Sequence, residues 1–187
     1  MLLIAGLGNP GEKYKRTRHN VGFLFTEYLF KKNKSPDMWK FDTYSNAEIA
    51  KTSLAYNTQE FILLLAKPQT YMNRSGESIR VLMKNNNIDE NHLIVAHDDL
   101  DVELGKYKIQ QGTGPKKHNG LTSIQNNIHT NDFLRLRIGI DNRDGDRSLS
   151  GEEYVLKNFE PDEMITLQNV FEQLYSTLLL RLNEIYT

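Results

Sequence analysis

Three short, unbroken apolar runs, Leu2–Leu7, Phe61–Ala66 and Leu93–Ala96, constrain this chain more than any other feature. Each has the length of a strand rather than a helix. None alternates with polar residues, so each reads as a strand buried on both faces, which is the pattern of a parallel sheet. Segments with a helical period separate them. Val21, Phe23, Leu24, Phe25, Tyr28, Leu29 and Phe30 follow Asn20, which is placed to act as an N-cap. Asn73-Arg74-Ser75-Gly76 leads into a helix carrying Ile79, Val81, Leu82 and Met83. A shorter helix is expected over about 121–127. From Pro161 a stripe of Leu167, Val170, Phe171, Leu174, Leu178 and Leu182 marks the last helix.

Residues 39–52 alternate weakly and are expected to form an antiparallel strand, and Tyr107–Ile109 is expected to be a strand. LRLRIGI at 134–140 alternates apolar and basic residues, so burial of one face is expected. Strands alternating with helices predict an α/β fold: a three-layer sandwich whose mixed central sheet is flanked by helices, with residues 1–187 as a single domain. At 187 residues and 39% hydrophobic, the chain is long enough and apolar enough for one core. It has no cysteine, which excludes disulfides, thiolate nucleophiles and cysteine metal sites and fits a reducing compartment. No stretch reads as a leader or a membrane span, so a cytoplasmic protein is expected.

The first apolar run opens into GLGNPGEKYKRTRHN, residues 6–20, which combines three glycines, the cations Lys13, Lys15, Arg16 and Arg18, and His19. The cations suggest an anion nearby, and histidine is the side chain that titrates near neutrality. Gly6, Gly8 and Gly11 match G-x-G-x-x-G, but a dinucleotide site needs a helix opening at the third glycine. Here Pro10 and a polar run intervene, so the glycines read as shaping an active-site loop.

His97-Asp98-Asp99-Leu100-Asp101 closes the third run and invites a metal reading. Acids at adjacent positions cannot all face one ion, and a single carboxylate, Asp98, acting on a histidine is the better reading. Such a carboxylate fixes the imidazole tautomer and leaves the other nitrogen free as a base. Asn73 and Asn119 sit in settings that expose an amide, either as N-caps or as donors to a developing oxyanion. His118 reads as a loop histidine, and His92 and His129 as turn residues. There is no G-x-S-x-G elbow. Residues 104–120 carry Lys106, Lys108, Lys116 and Lys117 with no acid among them, a local basic footprint on a chain of net charge −1.

Taken together, GLGNPG at 6–11, Tyr14, TRHNVG at 17–22, KPQTYMNRSG at 67–76, VAHDDLD at 95–101, HNGL at 118–121, RLRIGI at 135–140 and YVLKNFEPDE at 154–163 closely resemble bacterial-type peptidyl-tRNA hydrolase, in family order and over nearly the whole chain. The resemblance implies an enzyme that cleaves the ester between a peptide and the 3′ ribose of tRNA, with peptidyl-tRNA as its partner, no cofactor and no metal. It implies His19 as general base, Asp98 as its orienter, and Asn9 as the residue that tells blocked from free aminoacyl ends. It further implies Tyr14, Tyr71, Asn73 and Asn119 as contacts to the 3′ end and peptide, and Arg137 as half of a basic clamp on the tRNA 5′ phosphate. The family's glycine run before HNG is here Gln110-Gln111-Gly112-Thr113-Gly114-Pro115-Lys116-Lys117, and the second clamp residue falls at Gln110. Lys108, Lys116 or Lys117 is the expected substitute. A monomer is expected. Two other readings stand beside the hydrolase: a non-catalytic RNA-binding member of the same fold, and a metal phosphoesterase built on His97, Asp98, Asp99 and Asp101.

Overall fold

The computed structural model describes residues 1–33, 37–115, 117–146 and 148–186. Lys116 lies outside them. The three apolar runs become β1 (Leu2–Gly6), β4 (Gln59–Pro68) and β5 (Leu93–Glu103), and all three lie side by side and parallel, β1 in the middle. With β7 (Leu134–Asp141) parallel to β5, they form the buried centre of a seven-stranded sheet. The edges are antiparallel. β2 (Lys40–Asp42) pairs with β3 (Ala47–Tyr56) and β3 with β4 on one side, while β6 (Tyr107–Gln111) pairs with β7 on the other, giving the order β2-β3-β4-β1-β5-β7-β6. The single weak strand expected over 39–52 is thus two strands joined by a turn.

Alternation along β1 divides the core. Leu2 and Ile4 face α1 (Val21–Lys32) and α5 (Pro161–Tyr186); Leu3 and Ala5 face α2 (Ser75–Asn86) and α3 (Asn119–Ile128). Phe25 and Leu29 of α1 and the whole expected stripe of α5 pack on the first side, and Ile79, Leu82, Leu121 and Ile124 on the second. The mixed sandwich is therefore as expected, helices covering both faces.

Gly6 and Gly22 let β1 and α1 meet backbone to backbone. A Cβ at Gly6 would lie 2.3 Å from the Gly22 carbonyl oxygen, so a side chain there would push the helix off the sheet. This close approach, and a helix that begins only at residue 21, account for the glycine motif without a dinucleotide.

Three local expectations change. Asn20 stands at the N-cap position of α1, but its side chain makes no capping bond and instead reaches across to Asn9. β5 runs through His97, Asp98 and Asp99 instead of ending before them, because β7 pairs with it through Asp99 and, after a register shift, again at Glu103. β7 is buried on both faces, not one. Arg135 donates to the carbonyls of Gly114 and Asn131 and lies 4.8 Å over the Phe133 ring, while Arg137 Nε donates to Asp99 Oδ2 at 2.6 Å. Each buried guanidinium is thus compensated by hydrogen bonds or a partner charge. Among the described residues, no helix is long and apolar enough to cross a membrane.

Candidate active site

In an open sheet with parallel strands, ligands collect beyond the carboxyl ends of the strands. Here β1 delivers Asn9, Tyr14 and His19 from its following loop, β4 delivers Tyr71, Met72 and Asn73, β5 delivers Asp98, and the start of α3 delivers His118 and Asn119. These residues line a single cleft of about 840 Å³, with Leu100, Val155 and Leu156 as apolar parts of its lining.

Asp98 sits at its base. Its Oδ1 faces His19 Nδ1 at 2.9 Å and His118 Nε2 also at 2.9 Å, with the carboxylate side chain only 3% exposed. The protons follow from the partners. His118 Nδ1 accepts the Leu121 N–H at 3.3 Å, capping α3, so its hydrogen must be on Nε2 and points at Asp98. His19 likewise carries its hydrogen on Nδ1, facing the carboxylate, and Nε2 keeps the lone pair.

The charges follow the same geometry. Burial penalises the His19 imidazolium, but the charge of Asp98 and its hydrogen bond outweigh it and raise the pKa above 6.5. Burial also opposes ionisation of Asp98, but the two imidazoles more than offset it, and the carboxyl is held well below the usual carboxylate range. Behind them His97, fully buried, is pushed down to about 3, first by desolvation and then by the field of His118. It is a neutral imidazole whose Nδ1 bonds the Asp98 carbonyl oxygen at 2.7 Å.

The Asn9 side chain is fixed by a local network. Asn20 Oδ1 accepts the Asn9 backbone N–H at 2.8 Å and Asn20 Nδ2 donates to the Asn9 carbonyl at 2.9 Å. Asn9 Oδ1 accepts the Met72 N–H at 2.9 Å, which leaves the amide Nδ2 as a donor in the cleft. Asn73 and Asn119 are exposed on the cleft wall. Tyr14 is half-buried, and Tyr71 is exposed with a φ of 61°, a left-handed backbone that turns its ring outward at the strand–helix junction.

His118, Met72 and the short helix α4 (Gly151–Val155) are the parts of the site that the sequence reading missed. The histidine carried one available signal, its place immediately before α3, where a side chain accepts from the first turn. The four side chains of the metal reading do not converge: Asp99 pairs with Arg137 and His97 turns to a backbone carbonyl. Among the described residues, the ligand-capable cluster is His19, Asp98 and His118, with atoms within 4.8 Å of one another. One nitrogen of each imidazole points its proton at the same carboxylate oxygen, so these atoms form a hydrogen-bonded set and not a set of free lone pairs.

The basic residues fall apart spatially. Lys117 is exposed on the cleft rim and meets Glu152 at 2.9 Å. Arg137 is buried, held by Asp99 and by the Gln110 side-chain oxygen. Lys108 is exposed on β6, opposite Arg137 in the strand register, in a surface depression that shares Asp101 with the cleft.

A family model described as peptidyl-tRNA hydrolase matches residues 3–185. Among curated proteins, the peptidyl-tRNA hydrolase of Lawsonia intracellularis is 43% identical over 179 residues, covering 94% of this chain and 84% of that protein. That of Listeria welshimeri is 40% identical over 174 residues, covering 90% and 88%. Two crystal structures of Acinetobacter baumannii peptidyl-tRNA hydrolase are similar. A mutant form has a TM-score of 0.80 at 34% identity, covering 99% of this chain and 90% of that one. A second has a TM-score of 0.77 at 32% identity, covering 99% and 94%.

Proposed function

The chain belongs to the peptidyl-tRNA hydrolase family and hydrolyses peptidyl-tRNA, and on that premise we propose that His19 is the general base, Asp98 its orienter and charge partner, and His118 a second donor that holds Asp98 in place. The observation that carries this reading is the single oxygen, Asp98 Oδ1, that receives both imidazoles at 2.9 Å. His19 Nε2 takes a proton from water, whose oxygen adds to the ester carbonyl. As the tetrahedral intermediate collapses, the imidazolium returns the proton to the departing 3′ ribose oxygen. The Asp98 charge favours the imidazolium that forms between these steps. Amide donors from Asn73 and Asn119 take the developing oxyanion; one such donor is typically worth ~10²–10³ in rate.

Asn9 selects the substrate. Because Met72 N–H occupies its carbonyl oxygen, it presents only N–H to the cleft. A peptidyl or N-acylated end offers that donor a carbonyl, while a free aminoacyl end offers an ammonium with no acceptor. Tyr14 and Tyr71 stack on the unpaired terminal bases. Lys108 supplies the exposed cation beside Arg137 that Gln110 does not, contacting the tRNA 5′ phosphate, while Lys117 belongs to the cleft rim; Lys116, the third expected substitute, lies outside the described residues. The enzyme acts in the cytoplasm, as a monomer and without a metal. A purely RNA-binding relative has no need of the His19–Asp98–His118 relay, which favours the catalyst.

The test is hydrolysis of N-acetylaminoacyl-tRNA and free aminoacyl-tRNA in EDTA. Wild type should cleave the blocked substrate selectively, and His19→Ala should lose ~10²–10⁴ in kcat. Binding without cleavage would point to the RNA-binding reading, loss in EDTA to a metal, and undiminished cleavage by the variant to a different base.

A further inference from the structure

The loop before His19 carries four cations, and the fold divides them. Arg18 turns inward. It is 5% exposed, its guanidinium bonds both Glu163 oxygens at 2.6–2.7 Å, and the Tyr154 ring lies 4.4 Å below it. Lys13, Lys15 and Arg16 turn outward and are exposed. With Glu12 and Asn158 they line a surface pocket of about 230 Å³. Glu12 reaches Lys15 at 3.5 Å, and Lys13 and Arg16 have no ion-pair partner among the described residues. The pocket therefore holds three cations against one carboxylate, on a chain whose overall charge is −1.

The cations are held in a built arrangement. Thr17 and Asn158 form an antiparallel bridge, with Phe159 N–H donating to the Arg16 carbonyl at 3.0 Å and Arg18 N–H to the Lys157 carbonyl at 3.0 Å. That bridge brings the exposed Lys157 alongside. Tyr14 sits in the same turn, between Lys13 and Lys15, and lines the catalytic cleft, and Lys13 Nζ stands 4.7 Å from the centre of its ring. The patch thus starts at the lip of the cleft and runs away from it.

We propose that Lys13, Lys15 and Arg16 form a second phosphate-binding surface, which grips the RNA backbone where the strand leaves the cleft past Tyr14. This rests on the peptidyl-tRNA reading of the cleft and adds where the nucleic acid travels outside it. A chain entering the cleft by its 3′ end must bring successive phosphates past the lip, and three exposed cations with one acid between them suit a polyanion read without sequence. The position is separate from Lys108, which lies beyond Asp101 on β6.

The experiment compares wild type, Lys13→Ala/Lys15→Ala/Arg16→Ala and the charge-keeping Lys13→Arg/Lys15→Arg/Arg16→Lys. It uses two substrates, N-acetylaminoacyl-tRNA and the N-acetylaminoacyl ester of the trinucleotide CCA, over a series of salt concentrations. The alanine variant is expected to flatten the slope of log kcat/KM against log salt on tRNA by about two to three units, ~0.7–0.9 for each phosphate contact removed. Wild type would then lose ~20–40-fold more activity than the variant over a fourfold rise in salt. On the trinucleotide ester, which lacks the phosphates beyond the cleft, all three proteins should be alike. The charge-keeping variant should behave as wild type on both. An unchanged slope in the alanine variant overturns the surface while leaving the hydrolase intact. A charge-keeping variant as flat as the alanine one would also overturn it, since packing and not charge would be responsible. Wild type that cleaves neither substrate takes the cleft reading down and the surface with it.

Discussion

Asp98→Asn separates the charge of the carboxylate from its shape. Its Oδ1 receives N–H groups from His19 and His118, each at 2.9 Å. Leu121 N–H keeps the His118 hydrogen on Nε2. An asparagine in this place therefore keeps its carbonyl oxygen toward the two rings, because turning its amide would set donors against donors. The tautomer of His19 survives and the charge does not. General-base assistance is worth ~10²–10⁴ in all, and with the geometry kept the loss belongs at the lower end: ~10², or about 2.7 kcal/mol of barrier.

The pH profile moves as well, in a direction the structure dictates. Burial lowers the His19 pKa, and only the charge and hydrogen bond of Asp98 raise it above 6.5. Removing the charge leaves burial less opposed, so the pKa falls. Because the neutral imidazole is the active form, wild type should lose kcat/KM as pH drops through a pKa above 6.5, and the variant only at lower pH. The relative defect thus shrinks toward acid. The assay is kcat/KM for N-acetylaminoacyl-tRNA from about pH 5 to about pH 9, which reports groups of the free enzyme. Adding His118→Ala frees the amide to turn, and the combined loss should exceed ~10³. An acid limb that stays in place, or moves up, would refute the claim that Asp98 acts on the base through its charge.

Two further perturbations test the frame around the cleft. Glu163→Ala leaves the Arg18 guanidinium buried without its carboxylate partner and should cost ~3–5 kcal/mol, lowering Tm by roughly 6–20 °C; a change under about 1 kcal/mol in denaturant titration would show that Arg18 finds other compensation. Lys108→Ala should raise KM several-fold for tRNA bearing a 5′ phosphate and leave kcat unchanged, and equal KM values for 5′-phosphorylated and 5′-hydroxyl tRNA in wild type would remove Lys108 from phosphate binding.

The layers of this fold are legible in local patterns. β1, β4 and β5 announce themselves through apolar runs because a strand covered on both faces is mostly apolar. The stripe of α5 is legible because one face of a helix repeats every three to four residues. Helix α4, five residues long, has no room for a period and shows in the sequence only as the Ser150–Glu153 capping box. His19 and Asp98 stood out through the company of their motifs, and the parallel sheet then brings them together, His19 from the loop after β1 and Asp98 from within β5.

What the tertiary structure decided is the use made of polar side chains that have more than one partner to choose from. Asn20 is a sound N-cap by position, yet it spans the two backbone groups of Asn9 instead. Arg135 and Arg137 alternate with apolar residues as an exposed face would, but nearby carbonyls and Asp99 compensate them in the interior. His118 looked like any loop histidine until its two nitrogens met Leu121 N–H and Asp98. Periodicity records which surfaces must leave water, since that depends on each side chain alone. A hydrogen bond depends on two groups and on the distance between them, and only the folded chain sets that distance.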